Sequence, residues 1–156
     1  MEFLIIKWIH IVSSTLLFGT GLGSAFYKYM ADKSCNTHTI AHTNKYVVLA
    51  DWLFTTPTII IQPITGILMA ATLGYSLTEP WILLSILLYL LAGACWLPVV
   101  WLQIKMRNLS NQALKNKTKL PPLYWKQAII WFWLGVPAFI SMVGVFYLMT
   151  NKPSLF

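Results

Sequence analysis

The sequence predicts an all-α polytopic membrane protein, an antiparallel four-helix transmembrane bundle with both termini outside. Three observations predict it. Of 156 residues, 58% are hydrophobic, 15% aromatic and only 10% charged, with a mean hydropathy of +0.67, whereas an ordinary soluble domain carries about 25% charged residues. Four apolar segments, near 3–30, 46–73, 80–105 and 124–149, reach the roughly 20 residues a helix needs to cross a bilayer. Nine of the eleven basic residues fall in the regions 28–45 and 105–126, leaving only Lys7 and Lys152 on the other side. Cytoplasmic loops are enriched in Lys and Arg, so the two basic loops are expected inside. The chain then reads as a single four-span membrane domain, residues 1–156, with no soluble module. Its net charge of +7 is an orientation signal that also favours anionic lipid; it does not point to nucleic acid.

The first segment lacks a basic run before it and is too long for a signal peptide's apolar region, so it reads as a span. His10 lies about two turns in, and it is the only histidine within a span. Ser13, Ser14, Leu17, Gly21 and Ser24 share its face, a shallow groove running inward. Gly19 and Gly23 form a GxxxG pair on the far side, the usual mark of close helix contact. The next segment, 31–45, reads as a polar loop in which His38 and His42 are solvated. Cys35 and Cys95 share no spacing motif.

The second span carries the most informative pattern. Asp51, Thr55, Thr58, Gln62, Thr65 and Met69 recur at alternating spacings of four and three. At about 100° per residue they fall on one helix face, with Leu53, Ile60 and Ile64 opposite. Lipid cannot satisfy such a stripe, so it must face the bundle interior. One reading is plain helix packing, with hydroxyls bonded to their own backbone; the other is the wall of a cofactor or substrate pocket. Pro57 and Pro63 free backbone carbonyls for the threonines or a bound group to meet. Asp51 reads either as partnered by Lys45, Arg107 or Gln103, or as a site of proton uptake.

The third span opens with Thr78-Glu79-Pro80-Trp81, residues suited to a helix start. Ser85, Tyr89, Ala92, Trp96, Val99 and Gln103 repeat the four-three spacing and answer the stripe of the second span, with Tyr89 placed at the depth of His10. The span is expected to end at Lys105 and Arg107, followed by a polar loop over 108–123. Tyr124 and Trp125 then read as an interface belt. Trp133, Pro137, Ser141 and Gly144 share a face of the fourth span.

Several runs carry a resemblance: LADWLFT (49–55), QPITG (62–66), GYSLTEPW (74–81) and AGACWLPVVWLQIKMR (92–107), together with the opening KWIH (7–10). They resemble a bacterial family of four-span inner-membrane proteins, domain of unknown function 2269, along almost the whole chain. The resemblance implies a multi-pass protein of the bacterial inner (cell) membrane and brings no established activity. KWIH and the small-residue helix after it are distantly similar to HemJ-type protoporphyrinogen oxidases, four-span bundles that bind b-type haem, and to CopD-type copper-resistance membrane proteins. The HemJ pattern also has a histidine in the third span, where this chain has Tyr89, Trp96 and Gln103. CopD-type copper handling calls for clustered methionines or histidines, and here there are Met69 and Met149.

The function expected from these readings is of redox type. Haem b, or a quinone, would sit in the outer half of the bundle, with His10 as iron ligand or hydrogen-bonding group. Gly21 would give clearance, Gln62 and Tyr89 would fix polar edges, and Met69 would be a second ligand. Asp51 would be a proton-linked or structural acid. No catalytic residue set is legible, and no nucleotide or hydrolase motif is present. The alternative is a non-enzymatic accessory or assembly subunit, docking on another membrane protein or a second copy through Gly19/Gly23 and the tryptophan-rich fourth span. A transporter is the weakest reading, since four spans without a repeat make alternating access hard.

Overall fold

The structure, a computed structural model, describes residues 1–153. Its regular elements are all helical among these residues: α1 (Glu2–Lys33), α2 (Thr37–Ala50), a π-turn (Asp51–Thr55), α3 (Thr56–Thr72), α4 (Pro80–Lys115) and α5 (Pro122–Asn151). The second transmembrane rod is α2, the π-turn and α3 in continuous succession, so four rods are long and apolar enough to cross a membrane.

Two stretches expected to be loops are helical. Asn36 caps α2, its side chain accepting from the backbone N–H of His38 at 2.9 Å and Thr39 at 3.1 Å. Ile40, Ala41, Asn44, Val47 and Val48 then bury one face; that inward face, absent from a reading by overall polarity, makes the segment a helix. His38 and His42 are exposed on its other side, their rings stacked at 5.9 Å. Likewise α4 runs to Lys115 instead of stopping near 105, because Leu102, Met106, Ser110 and Ala113 continue a buried stripe at helical spacing. Both rods thus project beyond the apolar slab at the end that carries the basic residues, called here the basic end; the other is the terminal end.

At the terminal end α3 stops in a Schellman turn. Gly74 takes φ +74°, with Tyr75 N–H on Ala70 O at 3.0 Å and Gly74 N–H on Ala71 O at 3.2 Å. That left-handed position suits glycine. Pro80 supplies the first turn of α4.

The rods pair unevenly. α4 and α5 lie together along their lengths, α1 lies against α3, and α2 packs on α4 and α1 at the basic end. α1 and α5 barely touch; Phe18 bridges them, stacking on Phe139 at 5.1 Å and meeting Phe146 edge-on at 5.3 Å. Two separate cores result. One, at the basic end, is built around Ile40, Met106 and Tyr124; the other, at the terminal end, joins Ala70, Trp81, Ile82 and Leu148. The periphery is apolar: Leu90, Ile129 and Ile140 are among many large side chains exposed outward. That polarity suits hydrocarbon solvent.

Candidate functional site

The polar stripe faces inward. Asp51, Thr55, Thr58 and Thr65 are each less than 8% exposed, while Leu53, Ile60 and Ile64 opposite are more than half exposed. The stripe breaks into three settings along the rod.

Nearest the terminal end is the His10 cluster. The Thr65 hydroxyl donates to the Ile61 carbonyl at 2.7 Å and lies 2.7 Å from His10 Nδ1. With its proton on the Ile61 carbonyl, Thr65 Oγ1 is placed to accept from a ring Nδ1–H. In that tautomer Nε2 carries the lone pair, and Nε2 makes no hydrogen bond among the described residues. Gln62 Nε2 donates to the His10 carbonyl at 2.7 Å and to Ser13 Oγ. A Cβ added at Gly66 would stand 3.4 Å from His10 Cε1, so this glycine lets α3 approach the ring. Thr65, Ser13 and Gly66 escaped the sequence reading as site residues; the signal for them was position, since Ser13 lies one turn from His10 and Gly66 beside Thr65. Met69 lies one further turn along α3 and is half-buried.

The middle setting is made by a proline. Pro63 has no N–H, so the carbonyl four residues earlier, Ile59, loses its helical partner. The Tyr89 hydroxyl from α4 fills that vacancy, donating to Ile59 O at 2.6 Å. Tyr89 was expected at the depth of His10; its hydroxyl instead meets α3 at Ile59, about a turn toward the basic end from Gln62. What draws it there is the orphaned carbonyl.

The third setting is Asp51 in the π-turn. Thr56 N–H and Oγ1 both bond the Asp51 carbonyl, the latter at 3.0 Å, and Thr55 Oγ1 donates to Asp51 Oδ1 at 2.9 Å. Neither Lys45 nor Arg107 pairs with this carboxylate; the one ion pair among the described residues is elsewhere. The Gln103 amide stands beside it. Wide turns of this kind recur at functional sites.

A cavity of about 350 Å³ lies among all four rods. Asp51, Tyr89 and Gly21 line it, with Trp96, Gln103 and Trp131. His10, Gln62 and Met69 do not; the structure thus divides the sequence-predicted set into a His10–Gln62 cluster and a cavity group. Gly21 has no atom within 4 Å of where a Cβ would stand, so it leaves space here. Among the described residues no three His, Cys, Asp or Glu side chains gather to hold a metal ion.

A rod-length polar stripe, four apolar spans and a continuous match over residues 4–153 decide the relationship. The chain belongs to the family described as predicted integral membrane protein, domain of unknown function 2269. No curated protein and no solved structure matches it.

One further cluster in this family member was misread from sequence. Lys28 was counted as a loop charge and Tyr124 as an interface aromatic; Lys28 is 1% exposed and Tyr124 fully buried. Lys28 Nζ donates to Asp32 Oδ2 at 2.8 Å and to Tyr124 Oη at 3.0 Å. Tyr124 donates to Asp32 Oδ1. Asn44 Nδ2 lies 3.1 Å from both Tyr124 Oη and Ser110 Oγ. This network ties α1, α2, α4 and α5 together, so its members work as structure.

Proposed function

We propose that this is a membrane protein of redox type that holds haem b, or a quinone in its place, in the outer half of the bundle. The basic end would face the cytoplasm of a bacterial inner membrane. The observation that carries the proposal is the setting of His10: Thr65 Oγ1 stands 2.7 Å from Nδ1, Gln62 and Ser13 hold the backbone beneath it, and Nε2 makes no hydrogen bond among the described residues. An orienting bond on one ring nitrogen is how ligating histidines are prepared, and a half-buried histidine in a span is a functional candidate by default. Haem bound there would supply one-electron redox chemistry. The chain's own part would be to offer His10 to the iron, to hold the ring through Thr65, and to keep bulk off it at Gly66. The same ring would accept an O–H from a quinol.

An absorption spectrum of the freshly extracted protein tests this. A Soret band lost in His10→Ala and weakened in Thr65→Val supports haem; pigment-free wild type, or a band that survives His10→Ala, rejects it. The orientation has its own test, because Cys35 is a free, exposed thiol at the basic end. In the Cys95→Ala background a membrane-impermeant maleimide should label it in inverted vesicles and not in intact cells; the reverse pattern overturns the topology.

A second reading, an accessory or assembly subunit, is favoured by one observation. Nothing lies within 4 Å of where side chains would project from Gly19 and Gly23, and Leu16, Leu22 and Phe26 on that helix are exposed. Such a small-residue face suits another membrane helix. A stable membrane-protein partner lost on Gly19→Leu, without pigment, would favour this reading.

A further inference from the structure

The cavity carries an inference that does not depend on haem at His10. Four polar atoms buried around it have no hydrogen-bond partner: Asp51 Oδ2, Gln103 Oε1, Trp96 Nε1 and Trp131 Nε1. Asp51 is 5% exposed, Gln103 4% and Trp131 7%. Native interiors leave few such atoms, and each calls for an explanation. Here the four residues that carry them line one space, the atoms themselves being covered.

Water alone explains them poorly. A cavity of about 350 Å³ has room for roughly a dozen waters, each wanting two to four polar partners. The walls are otherwise largely apolar, with Leu17, Phe18 and Ile59 among them. A volume of this size falls within the range of small-molecule sites, which pair apolar walls with a few placed polar groups.

The way in is lateral. Leu22, on α1, and Phe132 and Ile140, on α5, line the cavity and are also exposed on the outer surface of the bundle. The space therefore opens between α1 and α5, which barely touch, toward the bilayer. A ligand would come from the hydrocarbon phase and could leave a tail in it.

We infer that the cavity binds the headgroup of a lipid-soluble quinol. Its ring hydroxyls donate to Asp51 Oδ2 and Gln103 Oε1. Its oxygen lone pairs accept from the indole N–H groups of Trp96 and Trp131. Its apolar tail leaves between α1 and α5. The polar set also selects the redox form: an oxidised quinone has no O–H to give and would set carbonyl lone pairs against the carboxylate. The site therefore prefers the reduced form; the inference concerns binding, and no electron transfer is assigned to it.

The test uses the full chain in lipid nanodiscs, titrated by calorimetry with a short-tailed benzoquinol and, separately, with the matching benzoquinone. The expected result is saturable binding, with the quinol tighter by about tenfold, the effect of one or two hydrogen bonds. Asp51→Asn, which replaces the lone acceptor by a donor, should remove that preference. Trp131→Phe should weaken both forms by about three- to tenfold, while Trp52→Phe, on the exposed side of the rod, changes neither. Should Asp51→Asn fail to fold, Trp96→Phe carries the test, with the same expected loss as Trp131→Phe. Uptake no different from empty nanodiscs overturns the inference. So does wild-type binding in which quinone equals or exceeds quinol, or quinol affinity untouched by well-folded variants at Asp51, Trp96 and Trp131.

Discussion

Two clusters of buried polar groups stand close together in this bundle, made of similar chemistry and treated in opposite ways. At the basic end Lys28, Asp32, Asn44, Ser110 and Tyr124 bond one another across four helices. Beside the cavity Asp51, Gln103, Trp96 and Trp131 each leave a polar atom unmet. A satisfied network rigidifies and specifies an arrangement; an unmet one implies a missing partner. The carboxylates make the contrast plain. Asp32 has both oxygens engaged, by an ammonium and a phenol, whereas Asp51 has one oxygen on Thr55 and the other without a close partner, the Gln103 amide standing nearby. The first is a clamp, the second one side of an unfinished contact.

Variants that treat the two acids alike should break that contrast if it is wrong. The largest effect is expected from Asp32→Ala. It leaves the Lys28 ammonium, 1% exposed, without its carboxylate, and removing one partner of a buried pair costs about 3–5 kcal/mol. Thermal unfolding in detergent, followed by far-ultraviolet circular dichroism, should show the fall. Tyr89→Phe comes next. It strands the Ile59 carbonyl that Pro63 already deprived of a donor, at about 1–3 kcal/mol for an unsatisfied buried group, read in the same melt. Asp51→Asn should be the mildest, with a change within about 1 kcal/mol, because the bond from Thr55 survives and one unmet atom replaces another. A melt in which Asp51→Asn falls as far as Asp32→Ala would erase the distinction between clamp and site.

The stripe of α3 and the four rods were legible in the sequence because periodicity and apolar length are local properties. Asp51 and Gln103 were paired as neighbours on the same grounds of depth. The basic-end clamp was not legible: a lysine near a helix end ordinarily signals topology, and nothing in the chain says that Lys28 and Tyr124, 96 residues apart, share a proton network. The helical course of 37–45 and 106–115 was hidden because overall polarity masks a single buried face. Pro63 announced an orphaned carbonyl, but that a tyrosine from another span would claim it required the rods to be assembled. The separation of His10 from the cavity was likewise invisible, since spacing along one helix fixes direction and says nothing of where neighbouring helices part.

The wide turn at Asp51–Thr55 has a consequence for how this rod can change. Such a turn holds about one residue more than an α-turn, so it works as a phase adjuster between the clamp below and the imidazole contact above. Excising one residue there would let the rod run as a uniform screw with its halves still in phase, whereas winding the present residues as α-turns would swing one half by about 100° against the other. Asn44 or Thr65 would then look into the membrane, and the rod would have to forfeit its grip at one end to keep the other.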